Sequence, residues 1–270
     1  VHTLTVPHGT LTDVDEWWRS FFDATYRRLW ADRTDGARTA ADVDGIAAVL
    51  AAHGAPAAAR LVDVPCGDGR IAVGLAERGH AVTGIDLSAS MIDAARERAA
   101  AARVDVQFVE GDMRLVHTVA GRNQVAVSWF SSFGYFDDSA DDLAALESVR
   151  RALDPGGLFL LETQHRDRMA ALHAGSGPQR DWHDADGTLA LTERWFDPLT
   201  GRAGERLVIA GPDGRREQRE FSVRSYTVTE LVNLLRAADL HVEAVYGGPG
   251  PTPFGLQTRA LIVARRGVTT

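Results

Sequence analysis

A doubly wound α/β fold around a mostly parallel sheet is what this sequence predicts, and three observations predict it. From residue 60 to residue 161, short apolar runs alternate with helical stretches. A glycine turn, Gly67-Asp68-Gly69, joins the first run to its helix. After residue 227 the alternation returns, beyond a block of longer segments separated by hairpin turns. Strands and helices at this spacing build βαβ units with right-handed crossovers.

In chain order, residues 13–31 read as one helix. Asp13 can cap it, Asp15 and Glu16 fall in its first turn, and Trp18, Phe21, Phe22, Tyr26 and Trp30 recur along it. A second helix over about 40–53 stops at Gly54 and Pro56. Strand one is 60–64, and a helix runs from the glycine turn to about Arg78. Strand two is 81–85, and the helix after Ser88 runs to about Ala102. Strands three and four are 106–109 and 124–129. A helix over about 140–152, with Ser139 as its cap, leads to strand five at 158–161. Residues 163–226 then break the pattern. Segments 189–196 and 206–209 flank a turn at 197–201, and a second turn at 211–214 leads to a third segment over 216–226. That is an antiparallel meander. Its arginines (Arg202, Arg206, Arg215, Arg216, Arg219, Arg224) alternate with apolar residues and read as a solvated face. A helix at about 228–238 and strands at 241–246 and 257–265 complete the chain.

Composition narrows the chemistry. The chain has 270 residues, 45% hydrophobic and 24% charged, an ordinary globular balance able to build a core without a staple. No apolar run approaches the ~18 residues of a membrane span, and Val1-His2-Thr3-Leu4 shows no basic-then-apolar leader, so a cytoplasmic location is expected. One cysteine, Cys66, excludes an internal disulfide and multi-cysteine metal sites. A net charge of −8 speaks against a nucleic-acid binder. All 29 basic residues are arginine, which removes Schiff-base and P-loop lysine chemistry.

The glycine turn lets backbone amides approach a ligand closely at a helix start. Asp86, at the end of strand two, can accept both hydroxyls of a ribose. The plain alternative is a tight turn and a solvated strand end, and Gly67-x-Gly69-x-x-Ala72 would also pass as a dinucleotide fingerprint. Three details tilt the choice. Asp63 places an acid where dinucleotide folds have an apolar residue, which suits an amino-bearing ligand. Glu110-Gly111-Asp112-Met113 comes after strand three, and Leu153-Asp154-Pro155-Gly156-Gly157 introduces strand five.

In this set and order, the sequence resembles the class I S-adenosylmethionine (SAM) dependent methyltransferases of a bacterial small-molecule branch. Asp63-Val64-Pro65-Cys66-Gly67-Asp68-Gly69-Arg70 is similar to the family's first motif, and Gly84-Ile85-Asp86-Leu87-Ser88 with Met91 to its second strand. Glu110-Gly111-Asp112-Met113 is similar to its adenine stretch, and Ser131-Ser132-Phe133-Gly134-Tyr135-Phe136 to the segment after strand four. Phe196-Asp197-Pro198-Leu199-Thr200-Gly201 and Pro253-Phe254-Gly255 match phrases of that branch. There are departures: Pro65 stands where the loop has its first glycine, His165-Arg166-Asp167 stands near an Asn-Arg-Asp pattern, and 246–251 is rich in proline and glycine.

The resemblance implies a Rossmann-like, mostly parallel seven-stranded sheet with an antiparallel last strand. It divides the chain into an N-terminal helical cap (1–56), a SAM-binding core (57–165), an inserted substrate-covering segment (166–226) and a completion of the core (227–270). SAM is the cofactor and S-adenosylhomocysteine its product. Amides around Gly67 and Gly69 hold the methionine part beside Pro65, with Asp63 near its ammonium. Asp86 takes the ribose, Leu87 and Met91 pack nearby, and Gly111, Asp112 and Met113 meet the adenine. Phe130 lies under the sulfonium, and Tyr26 closes over the methionine carboxylate or the methyl.

A sulfonium methyl is already activated, so alignment carries most of the catalysis, and aromatic faces suit the cation. Trp18, Phe22, Tyr26, Trp129, Phe130, Phe133 and Tyr135 supply such faces, whereas Phe21, Trp30 and Phe159 read as core. If the acceptor arrives protonated, His165 is the first candidate base, its ordinary pKa of ~6.5 being close to useful. His183 is the second, beside Trp182 over the acceptor. A surface or turn histidine is the bland alternative for both. Asp137, Asp138, Asp141 and Asp142 open a helix and read as dipole partners, with no metal expected. The acceptor is a small molecule offering nitrogen, oxygen or carbon; no nucleic acid or membrane partner is expected, and a homodimer is left open. Two rivals stand beside this reading: a nicotinamide-dependent oxidoreductase, disfavoured by the absence of a Tyr-x-x-x-Lys pair, and a non-methylating protein on the same sheet, either a cyclase or a binding subunit.

Overall fold

The computed structural model describes residues 16–31, 36–175, 177–185 and 187–268. Asp13 and Asp15 of the expected first helix lie outside them. In place of one helix over 13–31 there are two short ones, α1 (Trp18–Phe21) and α2 (Ala24–Leu29). The break falls at Asp23, whose side chain accepts the Tyr26 amide at 2.8 Å and caps α2. An N-cap carboxylate satisfies a helix-start donor that a continuous helix would bond internally. Helix α3 (Gly36–Ala52) comes next and stops before Gly54.

The core alternates as expected: β1 (Arg60–Asp63), α4 (Arg70–Ala76), β2 (Ala81–Asp86), α5 (Ala89–Ala102), β3 (Val106–Glu110), a short α6 (Val116–Val119), β4 (Asn123–Ser128), α7 (Ser139–Ala152) and β5 (Leu153–Thr163). Asp138, not Ser139, caps α7, its carboxylate accepting the Ala140 amide at 2.9 Å. Ser88 caps α5 as expected. β5 starts earlier than its apolar run because 153–157 is extended too, with a register shift opposite Asn123 and Val125 of β4.

The segment after β5 is richer than the sequence shows. Helix α8 (Arg166–Leu172) precedes four strands rather than three: β6 (Gln179–Ala185), β7 (Thr188–Asp197), β8 (Arg202–Ala210) and β9 (Arg216–Arg224), a separate antiparallel sheet in that order. Its arginines are not one solvated face. Arg219 forks onto Asp23 at 2.9 and 2.7 Å, and Arg202 donates to the Phe136 carbonyl at 3.1 Å. These bonds tie the sheet to α2 and to the segment after β4. One face of the meander, with Ala190, Leu207 and Ile209 buried, packs on Phe21, Leu29 and Trp30 of the N-terminal helices.

α9 (Val228–Ala237), β10 (Leu240–Tyr246) and β11 (Ala260–Arg266) finish the main sheet, whose order is β10-β11-β5-β4-β1-β2-β3. β11 runs antiparallel to both neighbours, and β1 through β5 pair in parallel. Apolar side chains cover both sheet faces: Leu61, Ile71, Leu75 and Ile92 on one, Val62, Leu146, Phe159 and Leu231 on the other. A parallel sheet covered on both faces reads as continuous apolar strands, which is why these were legible. β1 lies between β4 and β2, the point where strand order reverses and the carboxyl edge opens a crevice.

Candidate active site

A cavity of about 1180 Å³, counting the space at its mouth, opens at that reversal point. Its floor is the ends of β1 and β2 with the intervening turn. Gly67 and Gly69 have φ of 54° and 76°, the left-handed region. A Cβ on Gly69 would also come within 2.8 Å of the Ala95 Cβ, so glycine is what lets α4 start against α5.

The turn is held from within. Asp86 accepts the Gly67 amide at 2.8 Å and the Ser88 amide at 2.9 Å, one on each carboxylate oxygen. The Gly69 amide is spent on the Cys66 carbonyl at 3.0 Å, and Gly69 does not line the cavity. The two glycine amides expected to face a ligand are therefore engaged inside the protein. Each oxygen of Asp86 keeps a second lone pair, and the residue lines the cavity. Burial raises its pKa against the pull of the Ser88 and Gly67 amides.

Asp63 is the least settled group in the floor. It is 1% exposed, and among the described residues neither carboxylate oxygen has a hydrogen-bond partner. Burial pushes its pKa up to about 8, against the nearby Arg70 guanidinium. Arg70, which the sequence did not single out as a ligand group, lies beside it on the cavity wall. Its Nη1 donates to Asp42 at 2.7 Å, while its Nη2 is buried without a partner among the described residues. Asp63 and Arg70 thus leave a buried carboxylate and a buried guanidinium nitrogen without partners on one cavity wall, an arrangement that costs stability until something satisfies them.

At the other end Asp112 is gripped by Arg114 at 2.7 Å. Although burial acts to raise it, the Arg114 hydrogen bonds hold this carboxyl below its ordinary range. Leu87, Met91, Gly111 and Met113 line the same end, and Pro65 and Gly67 the floor.

The outer wall is aromatic. Trp18, Phe22, Tyr26, Trp30, Trp129, Phe130, Tyr135 and Phe136 line it. Tyr26 stacks on Trp30 with centroids 4.9 Å apart, and Phe22 on Tyr135 at 5.8 Å. Trp30 sits in the core as expected and also lines the cavity, as does Phe136. Arg27 adds a cation to the rim. Phe130 and Ser131 turn through left-handed backbone, φ 64° and 63°, a conformation that costs an L-residue roughly 1–2 kcal/mol. This turn aims Phe130 into the cavity and sends Phe133 to the opposite core, where it packs on Tyr226.

Three further candidates lie elsewhere. His165 is fully buried: its Nε2 bonds the Thr258 carbonyl at 3.0 Å, its Nδ1 accepts the Arg168 amide as the cap of α8, and its ring lies against Phe254. Burial lowers its pKa. It does not line the cavity, so the structure gives it a capping place rather than the expected place beside an acceptor. His183 meets Trp30 edge-on at 5.7 Å, one layer behind the wall. Trp182 is 68% exposed on β6 and does not line the cavity. Of the acidic run, Asp138 caps α7, Asp141 pairs with Arg114 and Asp142 accepts the Tyr226 hydroxyl at 2.7 Å.

Comparison with known proteins gives this geometry a family. A family model described as a methyltransferase domain matches residues 61–157. The dTDP-3-amino-3,6-dideoxy-alpha-D-glucopyranose N,N-dimethyltransferase of Streptomyces fradiae is 31% identical over 218 residues, spanning 78% of this chain and 80% of that protein. An S-adenosylmethionine-dependent methyltransferase from Clostridium acetobutylicum superposes with a TM-score of 0.76 over 90% of this chain and 96% of its own, at 17% identity. SAM-bound CalS10, an amino pentose methyltransferase from Micromonospora echinaspora, gives a TM-score of 0.68 over 90% of this chain and 96% of its own, at 23% identity. At those identities the two structures speak for the fold.

Proposed function

The chain belongs to the class I SAM-dependent methyltransferases, and from that premise we propose that it methylates a nitrogen, oxygen or carbon of a small molecule, with nitrogen as the favoured atom. The observation that carries the preference is the make-up of the cavity wall. Among the described residues no histidine or glutamate lines it, and its aspartates sit at the strand ends and the glycine turn. Burial pushes the Tyr135 hydroxyl well above its ordinary pKa, so it makes a poor base. A neutral amine brings its own lone pair and needs no base before transfer; the proton leaves to water afterwards. A phenol or carbon acid would need one.

When bound, SAM supplies a methyl group on a cationic sulfur, which the acceptor's lone pair takes as the carbon–sulfur bond's electrons return to sulfur. The chain's part is binding and alignment. Asp63 meets the ammonium and Arg70 Nη2 the carboxylate of the amino-acid end. Asp86 offers its two free lone pairs to the ribose hydroxyls, and Asp112 and Met113 face the adenine. Phe130, Tyr26 and Trp129 present ring faces to the sulfonium, each good contact being worth ~0.5–2 kcal/mol, and exclude water from the transfer line. Trp18, Phe22, Tyr135 and Phe136 hold the acceptor on a compact aromatic surface. A cytoplasmic enzyme of small-molecule metabolism fits this reading; among the described residues no helix is long and apolar enough to cross a membrane.

With the family placed, the nicotinamide-dependent rival falls away, and the transfer assay answers the non-methylating one. The protein is incubated with methyl-labelled SAM and a panel of small amines, phenols and carbon acids. Mass spectrometry should find an amine product heavier by one labelled methyl. Labelling confined to phenols would overturn the nitrogen preference, and no labelled product beside consumed SAM would overturn transfer itself.

A further inference from the structure

The Phe130–Ser131 turn is strained and lies directly under the cavity, yet what holds it comes from outside the cavity. Glu162, near the end of β5 and 2% exposed, accepts the Phe130 amide on Oε2 at 2.8 Å. Its backbone carbonyl accepts the Ser131 amide at 3.1 Å. Arg259, the residue before β11, grips both carboxylate oxygens of Glu162 and reaches Ser131 Oγ at 2.8 Å. The Gln164 amide donates to the same Oγ at 2.9 Å. The Arg259 guanidinium also sits 5.3 Å from the Phe130 ring centroid. Neither Glu162 nor Arg259 lines the cavity.

We propose that Glu162 and Arg259 are positioning residues for methyl transfer: their buried ion pair locks the left-handed Phe130–Ser131 turn and so fixes the Phe130 ring as a wall of the SAM cavity. Consecutive left-handed non-glycine residues persist only where the surroundings over-determine them, and such turns gather at ligand sites. The surroundings here are two paired sheet strands, since Glu162 is in register with Leu261 of β11 and Arg259 is two residues before it. The fork of an arginine suits this task, because one planar group can bridge a carboxylate and a hydroxyl at once. A lysine offers a single point charge and would hold the carboxylate without fixing Ser131.

The proposal rests on the reading that the cavity binds SAM, so binding to the unmodified chain is the first control. S-adenosylmethionine, which carries the sulfonium charge, is titrated calorimetrically into four proteins: unmodified, Glu162→Gln, Phe130→Ala, and the two changes together. If Glu162 acts through Phe130, Glu162→Gln weakens binding roughly tenfold when Phe130 is present, and less than about twofold when it is absent, the non-additivity expected of residues in one network. Arg259→Lys should show the same pattern with a smaller loss, and it carries the cycle if Glu162→Gln does not fold. A loss of the same size with and without the Phe130 ring would overturn the positioning role, since damage to the general fold does not depend on that ring. No binding to the unmodified chain would overturn the functional reading, and this proposal with it.

Discussion

Asp63→Asn is the perturbation whose outcome the structure constrains most. The buried carboxyl has its pKa raised to about 8 because burial penalises the charged form. To pair with an ammonium it must first lose its proton. At pH 7 about one molecule in ten has done so, a cost of roughly 1.4 kcal/mol, the equivalent of one pH unit. Affinity for S-adenosylhomocysteine, which carries the same amino-acid end as SAM, should therefore rise about tenfold per unit as pH approaches 8, then level off. Stability runs the other way. An unfolded aspartate titrates near ~3.9, so the folded chain holds the extra proton between about 4 and about 8. This group's contribution to stability is complete below ~4 and is lost as pH rises through about 8. Asparagine removes both slopes. The assay is calorimetric titration across pH in two buffers of different ionisation enthalpy, which counts the protons released. If the unmodified protein releases no proton on binding near neutral pH, or if Asp63→Asn keeps the same pH slope, the assignment of Asp63 to an ammonium is refuted.

The geometry sets three further outcomes. Asp86→Ala removes the ribose acceptor and frees the Gly67 and Ser88 amides; calorimetry should show more than a roughly tenfold loss of affinity and urea unfolding a loss of about 1–3 kcal/mol, whereas unchanged affinity would remove Asp86 from the site. His165→Ala should cost roughly 0.5–2 kcal/mol of stability as a lost cap and leave cofactor affinity alone; slowed turnover at full stability would restore the histidine as a candidate base. Tyr226→Phe strips the hydroxyl donor from the buried Asp142 Oδ2, and should destabilise the chain by about 1–3 kcal/mol in denaturant unfolding; no change in the unfolding midpoint would mean that the bond contributes nothing.

Much of the core was legible because both of its signals are local. Apolar runs of strand length and a glycine turn mark β1, α4 and β2 wherever the rest of the chain goes. The residues that the family resemblance, rather than these local signals, pointed to at the strand ends (Asp63, Pro65, Gly67, Asp86, Leu87, Met91, Gly111, Asp112 and Met113) all line the cavity. What escaped depends on contacts far along the chain. Arg70 matters because α3 brings Asp42 to it from 28 residues away. The break between α1 and α2 is set at Asp23, which Arg219 of β9 grips. β6 was missed because Gln179–Asp181 is exposed and polar at the sheet's edge, with no apolar alternation to betray it. His165 looked available because nothing nearby in sequence covers it; Thr258 and Phe254 do. The exchange of Phe133 for Phe136 in the wall comes from the left-handed turn at Phe130, which no residue type there announces.

The central claim is that the crevice between β1 and β4 holds SAM with its charged sulfur against the aromatic wall. A crystal structure of the protein with S-adenosylhomocysteine tests it most directly. The account predicts density with the amino-acid end between Asp63 and Arg70, the ribose on Asp86, and the sulfur facing Phe130 toward open space. Density with the ribose away from Asp86, or a ligand bound outside this crevice, would contradict it.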